Sequence, residues 1–175
     1  TERTANWLSD HAQDDQPWCL YVGLVAPHFP LVVPQEFFDL YPPDSLPEPK
    51  MNPKDGYKRH PWAELQNAQM DSEPQFSSEA ERRDAVAAYY GLVSWMDYNV
   101  GRIMAALDEA GLLQDTTVIY SSDHGDNVGA RGLWGKSNLY QESVAVPMIM
   151  AGPDVPIGTC DTPVDLLDIS ATIPA

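Results

Sequence analysis

The sequence predicts an α/β protein with a mostly parallel, mixed sheet flanked by helices. Two nearly continuous apolar runs, at residues 18–25 and 117–121, are typical of strands that are covered on both faces. A third apolar run, at 144–150, contains Pro147, which favours an edge position or an irregular start. Between the first two runs, residues 79–110 carry apolar side chains at helical spacing. Strands that alternate with helices in this way are typical of parallel sheets.

The predicted helices begin and end at recognisable signals. Residues 2–12 predict a short helix, and residues 162–172 predict a last helix with a threonine cap and proline at its first position. Ser78 and Glu81 have the spacing of a capping box at the start of the long helix, and Gly111 provides its C-terminal stop. At 1.5 Å per residue this helix is roughly 48 Å long, enough to cross a domain.

Residues 34–77 predict a long proline-rich loop inserted within this fold. Irregular loops of such length are uncommon and often serve as lids or binding loops. Four of the ten basic residues of the chain lie here, namely Lys50, Lys54, Lys58 and Arg59. They either meet an anionic substrate or belong to a solvated loop, and the sequence leaves both interpretations open.

Charge and cysteine content narrow the classes of partner. The chain has 26 acidic and 10 basic residues, a formal net charge of −16, which argues against nucleic acid and anionic membrane surfaces. An anionic substrate would therefore need a metal ion or a few placed cations. Cys19 and Cys160 form no C-x-x-C or disulfide pattern, and Cys19 is expected in the core because it lies in an apolar run.

The clearest candidate site follows the strand predicted at 117–121. Asp123 and His124 are adjacent at its exit, and both residue types bind divalent metal ions. Four glycines in the following loop allow a close approach to a ligand, and Lys136 then offers a cation. This pattern indicates half of a metal-dependent site for the hydrolysis of an anionic ester. The alternatives are a capped turn at Asp123, a polar loop histidine and an exposed lysine.

A histidine follows the first predicted strand in the same way. His28 lies between Pro27 and Pro30, directly after the apolar run at 18–25. Because ligands in open α/β sheets bind at the carboxyl ends of the strands, we expect His28 to converge with Asp123 at one edge. There it could donate to an ester oxygen or protonate a leaving group.

These residues resemble the sulfatase family of the alkaline-phosphatase superfamily. The resemblance rests on Ser122-Asp123-His124-Gly125-Asp126, on Gly132-Leu133-Trp134-Gly135-Lys136 and on Pro27-His28-Phe29-Pro30. Val146-Pro147-Met148-Ile149 and the long helix also fit, so that the resemblance covers most of the chain. The Asp-His pair followed by Gly-Leu-Trp resembles the choline-sulfatase and phosphonate monoester hydrolase branch more than animal arylsulfatases.

The resemblance implies a role for each candidate residue. Asp123 and His124 would bind a divalent metal ion, Ca²⁺ with Mn²⁺ as the alternative, and His28 and Lys136 would contact the sulfate or the leaving-group oxygen. The nucleophile of the family is a formylglycine made from Cys or Ser in C/S-x-P-x-R, a pattern that neither cysteine fits. We therefore expect residues 1–175 to be the central to C-terminal part of a sulfatase-like catalytic domain. The nucleophile and two further Asp ligands are expected upstream, so this part alone is expected to be inactive.

The implied function is metal-dependent hydrolysis of a small-molecule sulfate ester. The alternatives are a phosphonate or phosphate ester hydrolase of the same superfamily, and a non-catalytic sulfatase-like domain that binds a ligand or partner. A plain α/β core without a site is a third possibility. No nucleic acid or membrane partner is expected, a homo-oligomer is possible, and the bacterial cytoplasm is favoured weakly over the periplasm or secretion.

Overall fold

A long central helix organises the chain in the computed structural model, which describes residues 1–70 and 76–173. Within these ranges the helices are α1 (Glu2–Asp10), α2 (Gln35–Phe38), α3 (Pro61–Met70), α4 (Glu79–Glu109), α5 (Gln141–Val144) and α6 (Leu166–Thr172). The strands are β1 (Val118–Ser121) and β2 (Met148–Ala151). Short 3₁₀ turns occur at Pro43–Ser45, Pro53–Asp55 and Ala130–Gly132. Of these helices, none is both long and apolar enough to cross a membrane.

The long helix α4 begins and ends close to the predicted positions. Ser78 is its N-cap, and the Ser78 hydroxyl accepts a hydrogen bond from the backbone N–H of Glu81 at 3.1 Å. The Glu81 carboxylate accepts from the backbone N–H of Ser77 at 2.6 Å, and not from that of Ser78. The cap is therefore a capping box displaced by one residue. Gly111 follows the helix with φ +74°, which a glycine adopts without strain.

The core lies along α4 and the segments that cross it. Its fully or nearly buried side chains on this helix include Val86, Ala87, Ala88 and Leu92. Gly91 is required where α2 crosses, because a Cβ atom there would lie 2.9 Å from the backbone oxygen of Phe37. The N-terminal helix α1 also packs on α4, and Thr1 donates its hydroxyl to Asn99 Oδ1 at 2.5 Å.

The mostly parallel sheet expected from the sequence is not confirmed. In the described residues, β1 and β2 form a two-stranded antiparallel sheet in which Val118 pairs with Ala151 and Ser121 with Met148. The run at 18–25 forms no strand there, and the Tyr21 side chain is 92% exposed. An apolar run records a tendency to be buried but not the identity of its partner, which is why the pattern alone over-predicted this strand.

Three smaller expectations also need correction. Cys19, expected in the core, is exposed, as are alternate residues of its segment. The third apolar run is a strand only from Met148, directly after Pro147, which lacks the N–H that a ladder needs. The last helix starts at Leu166, because the Asp165 carboxylate accepts from Leu167 N at 2.8 Å in a capping box that prevails over the predicted threonine cap.

The proline-rich segment is more ordered than the sequence suggested. It contains α2, two 3₁₀ turns and α3, and it is anchored on α4. Tyr41 and Ser94 share a hydrogen bond of 2.6 Å between their hydroxyls, and Glu48 pairs with both Arg82 and Arg83, at 2.8 and 2.5 Å. The part of the predicted loop at 71–75 lies outside the described residues. The segment from 34 to 70 is therefore packed against the helix.

Candidate active site

His28 and Lys136, which are 108 positions apart in sequence, touch in the folded chain. The Lys136 Nζ atom lies 2.5 Å from His28 Nε2. The His28 ring in turn faces the His124 ring, with 6.1 Å between their centroids. The structure thus brings His28, Asp123, His124 and Lys136 together at the exits of the first apolar run and of β1.

The hydrogen bonds of His28 indicate which of its ring nitrogens carries the proton. Nδ1 lies 2.7 Å from the backbone oxygen of Phe29, and a carbonyl oxygen can only accept, so Nδ1–H is the donor. Nε2 is then the acceptor for the Lys136 ammonium group. Lys136 Nζ also lies 5.6 Å from the centre of the Phe29 ring, a cation–π distance. The cation is therefore held between a ring face and an imidazole nitrogen.

Asp123 and His124 form a second pair, directly after β1. The His124 Nδ1 atom lies 2.8 Å from the backbone oxygen of Gly125 and donates to it, which leaves Nε2 with a lone pair. Nε2 is 3.5 Å from Asp123 Oδ2, while Asp123 Oδ1 accepts from the His124 backbone N–H at 3.0 Å. The carboxylate side chain is 83% exposed, so it is accessible to a ligand.

This pair fits a divalent metal ion in type and orientation. An oxygen and an imidazole nitrogen face the same space, and a backbone oxygen fixes the histidine tautomer that metal binding requires. Within residues 1–70 and 76–173, however, no group of three or more His, Cys, Asp or Glu side chains is placed to hold a metal. The described residues therefore supply two ligands, and a complete site needs others.

Asp126 closes the glycine-rich loop that ends at Lys136. Its Oδ1 atom accepts from the backbone N–H groups of Val128 and Gly135, at 2.9 and 3.0 Å. Asn127 adds two bonds to the Gly135 carbonyl, from its backbone N at 2.8 Å and from Nδ2 at 2.6 Å. These four bonds fix the backbone directly before Lys136.

Gly125 allows the beginning of this loop to pack against α5. A Cβ atom at this position would lie 2.1 Å from the backbone oxygen of Glu142, which is closer than any side chain tolerates. The Gly125 N–H donates to the Ser143 carbonyl at 2.8 Å. The metal-capable pair is thus attached to α5 through main-chain contacts.

Arg131, which no sequence motif indicated as functional, stabilises the loop through its side-chain contacts. The residue is 7% exposed, forms an ion pair with Glu142, donates to the Tyr57 hydroxyl at 3.3 Å and lies 4.2 Å from the centre of the Tyr140 ring. Burial lowers the pKa of Arg131, but its hydrogen bonds to Tyr57 and Glu142 outweigh this and raise the pKa above the usual value. A buried charge with these partners rigidifies the loop.

Arg59 fixes the same loop from the proline-rich segment. Its Nε and Nη2 atoms donate to the backbone oxygens of Arg131 and Gly132, at 2.5 and 3.1 Å. Lys54, another basic residue of this segment, pairs with Glu79 at 3.2 Å. Two of the four basic residues considered for substrate binding therefore have partners within the protein.

Comparisons with known proteins identify the family of this chain. The Sulfatase family model matches residues 1–174, and the chain therefore belongs to the sulfatase family. It is 33% identical over 158 residues to a choline-sulfatase of Rhizobium meliloti, covering 90% of this chain and 31% of that protein. It is 32% identical over 176 residues to a sulfatase of Formosa agariphila, covering 98% of this chain and 35% of that protein.

A solved structure supports the same assignment. The phosphonate monoester hydrolase of Silicibacter pomeroyi is 26% identical, with a TM-score of 0.66 over 86% of this chain and 33% of that chain. The fold is therefore like that of the alkaline-phosphatase superfamily hydrolases. Members of the sulfatase family generally use a divalent metal cation. The chain spans about a third of the length of the curated relatives it matches.

Proposed function

We propose that the protein carrying this chain hydrolyses sulfate esters, and that His28, Asp123, His124 and Lys136 form part of its active site. The observation that carries the proposal is the contact of 2.5 Å between Lys136 and His28 beside the Asp123–His124 pair. A cation and an imidazole thus lie next to a carboxylate and a second imidazole, which are residue types that bind divalent metal ions. Family membership supports the same conclusion.

In this proposal each residue has one task. Asp123 and His124 would hold a divalent metal ion, Ca²⁺ with Mn²⁺ as the alternative, which would supply Lewis-acid stabilisation of charge on the ester oxygens. Lys136 donates a charge-assisted hydrogen bond to a sulfate oxygen. The Nε2 atom of His28, which here accepts a hydrogen bond from Lys136, would first take up a proton from solvent and then pass it to the leaving-group oxygen. Phe29 fixes the ring of His28 through its carbonyl oxygen, so that Nε2 faces Lys136.

The attacking group is proposed to come from outside these residues. The family resemblance implies a formylglycine in a C/S-x-P-x-R pattern, which this sequence lacks. The described residues would accordingly bind the anion, stabilise its charge and deliver a proton, and would not form a covalent bond to sulfur. Activity is therefore proposed for the full-length protein.

A phosphonate or phosphate ester hydrolase is the second candidate. The observation that favours it is the similarity to the phosphonate monoester hydrolase of Silicibacter pomeroyi. A metal ion, a lysine and a histidine stabilise a tetrahedral phosphorus anion as well as a sulfuryl group. The geometry of the four residues does not by itself separate the two anions.

The test is turnover of aryl sulfate, aryl phosphonate and aryl phosphate by the full-length protein. We expect the highest kcat/KM on the sulfate, and a higher value on the phosphonate would favour the second candidate. Absence of turnover on all three would favour a non-catalytic binding domain. Asp123→Ala should reduce both kcat/KM and bound metal, whereas Asp115→Ala, an exposed carboxylate before β1, should change neither. Normal turnover and metal content in Asp123→Ala would refute the site.

A further inference from the structure

A cavity of about 990 Å³ begins at Lys136 and extends between α4 and the proline-rich segment. Its lining includes Lys136 and Asp126 but neither Asp123 nor His124. The cavity therefore adjoins the site at the cation, on the side away from the metal-capable pair. Its volume is at the upper end of the range of about 300–1,000 Å³ that is typical of small-molecule sites.

The walls of this cavity are mainly apolar and aromatic. Its aromatic and aliphatic lining includes Phe29, Val32, Phe38, Phe76, Tyr89 and Trp134. The rings of Phe76 and Trp134 have centroids 4.8 Å apart at an angle of 54°, and together they form one corner. Such rings bind flat or bulky apolar groups through area and shape.

One polar group on the walls is suited to act as a hydrogen-bond donor, namely the hydroxyl of Tyr89. Burial, with a smaller contribution from the nearby Asp126 carboxylate, raises the pKa of Tyr89 to about 12, so its hydroxyl stays protonated at neutral pH.

The charge around the cavity is negative except at Lys136. Glu81, Asp84 and Asp126 line it, and Lys136 is the one Lys or Arg among the described lining residues. Asp126 is engaged in closing the loop, and Glu81 accepts from Ser77. These hydrogen bonds come from neutral groups and leave both carboxylates charged, whereas Asp84 is exposed to solvent and has no ion pair or side-chain hydrogen bond among the described residues. A second anionic group on a ligand would be repelled here.

We propose that this cavity holds the organic group of the ester, and that it selects an aromatic or alkyl group without negative charge over a carboxylated or multiply sulfated one. The proposal rests on the proposed function, because it places the ester oxygens at Lys136. The organic group then extends from Lys136 along the wall that includes Trp134 and Tyr89. Asp84 contributes to this selection together with Glu81 and Asp126.

The first test compares 2-naphthyl sulfate with 6-carboxy-2-naphthyl sulfate as substrates of the full-length protein. Because Asp84 is exposed, solvent and salt screen its charge, and we expect kcat/KM to favour the uncharged naphthyl group by at most about tenfold. Asp84→Asn should reduce this preference by about threefold or more, whereas Asp108→Asn, an exposed carboxylate near the other end of α4, should leave it unchanged. An equal preference in wild type and Asp84→Asn would overturn the role of Asp84.

The second test changes the volume of the cavity without changing its charge. Ala85 lines the cavity from α4, and Ala85→Leu should raise KM for 2-naphthyl sulfate more than for phenyl sulfate. Ala105→Leu, at an exposed position of the same helix, is the matched control and should affect neither KM. An equal change in KM for both substrates would show that the organic group lies elsewhere.

Binding of 2-naphthol, measured by calorimetry, separates this inference from the function on which it rests. If the protein hydrolyses no sulfate ester but binds 2-naphthol, and Ala85→Leu weakens that binding, the cavity is assigned correctly and the hydrolytic function is wrong. If sulfate esters are hydrolysed but neither Asp84→Asn nor Ala85→Leu alters substrate selectivity or 2-naphthol binding, the hydrolytic function is correct and the cavity assignment is wrong. Thermal unfolding of both variants, expected to be near that of wild type, excludes misfolding as the cause.

Discussion

The Oδ1 atom of Asp126 accepts a hydrogen bond from the backbone N–H of Gly135 at 3.0 Å. This bond closes the loop one residue before Lys136. It therefore fixes the position of the backbone from which the proposed substrate-binding cation extends. A second bond, from Val128 N at 2.9 Å, holds the same carboxylate from the other side. Asp126 thus acts as a positioning residue.

Asp126→Ala should lower kcat/KM by about 10- to 100-fold, because a misplaced cation stabilises the transition state poorly. It should also lower the free energy of unfolding by about 1–3 kcal/mol, since two N–H groups lose their acceptor. Asp126→Asn retains an oxygen acceptor and should restore most of both quantities. Steady-state kinetics and urea unfolding of the full-length protein measure them, and no recovery in the asparagine variant would contradict a positioning role.

Replacement of Lys136 should affect the chemical step directly. Lys136→Ala removes a charged donor from the site and should reduce kcat by about 10²–10³-fold on an aryl sulfate. Lys54→Ala is the matched control, because Lys54 forms an exposed ion pair with Glu79. The proposed role would be wrong if the two variants lost similar activity.

His28→Asn should discriminate between leaving groups. A good leaving group such as 4-nitrophenolate departs without a proton, whereas an alkoxide requires one. We therefore expect a loss of about 10²–10⁴-fold on an alkyl sulfate and a much smaller loss on 4-nitrophenyl sulfate. His11→Asn, at the end of α1, should change neither rate. An equal loss on both substrates would show that His28 binds the anion instead of protonating the leaving group.

The buried Arg131–Glu142 pair should contribute mainly to stability. Removing one partner of such a pair leaves an uncompensated charge and costs about 3–5 kcal/mol when both partners are fully buried. The Glu142 side chain is 25% exposed, so we expect about 2–3 kcal/mol for Arg131→Met. A double-mutant cycle with Glu142→Met should give a coupling energy of about 1–3 kcal/mol, against none for the exposed Arg102→Met with Glu142→Met.

The loss of unfolding free energy at acidic pH should depend on Glu79. The hydrogen bond from Arg82 is the main cause that lowers the pKa of Glu79, from 4.5 to about 2, in the folded protein. A depressed carboxyl pKa contributes stability that is fully present above pH 4.5 and is lost as the pH falls through about 2. Glu79→Gln should flatten the pH dependence of the unfolding free energy in that window. Glu109→Gln, at the exposed end of α4, should not, and parallel curves for wild type and Glu79→Gln would contradict the assignment.

Sequence patterns located the candidate residues but not the structure that holds them. His28, Asp123, His124 and Lys136 were expected together because strand exits share one edge of a parallel sheet. The structure brings them together, although the run before His28 forms no strand in the described residues. Proximity to the ends of apolar runs was therefore informative even though the premise of a parallel sheet was not confirmed.

The side-chain contacts that hold the Lys136 loop in place could not be predicted from the sequence, for a physical reason. Arg59 and Asp126 bind main-chain oxygens and N–H groups, which every residue carries, so no residue type at the partner position marks the contact. The direction of β2 relative to β1 depends likewise on backbone pairing, which apolar runs do not encode. The start of α6 was misplaced because two competing caps lay three residues apart, and only their geometry decides between them.

The contacts of Arg59 have a consequence for protein engineering. Its two hydrogen bonds to the backbone at Arg131 and Gly132, and the bond of 2.8 Å from Arg131 N to the Lys50 carbonyl, join the proline-rich segment to the loop that presents Lys136. A chimera that exchanges this segment with that of a relative would alter catalytic geometry even if no exchanged residue touched the substrate. Chimeras that exchange other parts of the segment but retain residues 50–59 should preserve turnover. Residues 50–59 should therefore be kept when substrate preference is transferred from a relative.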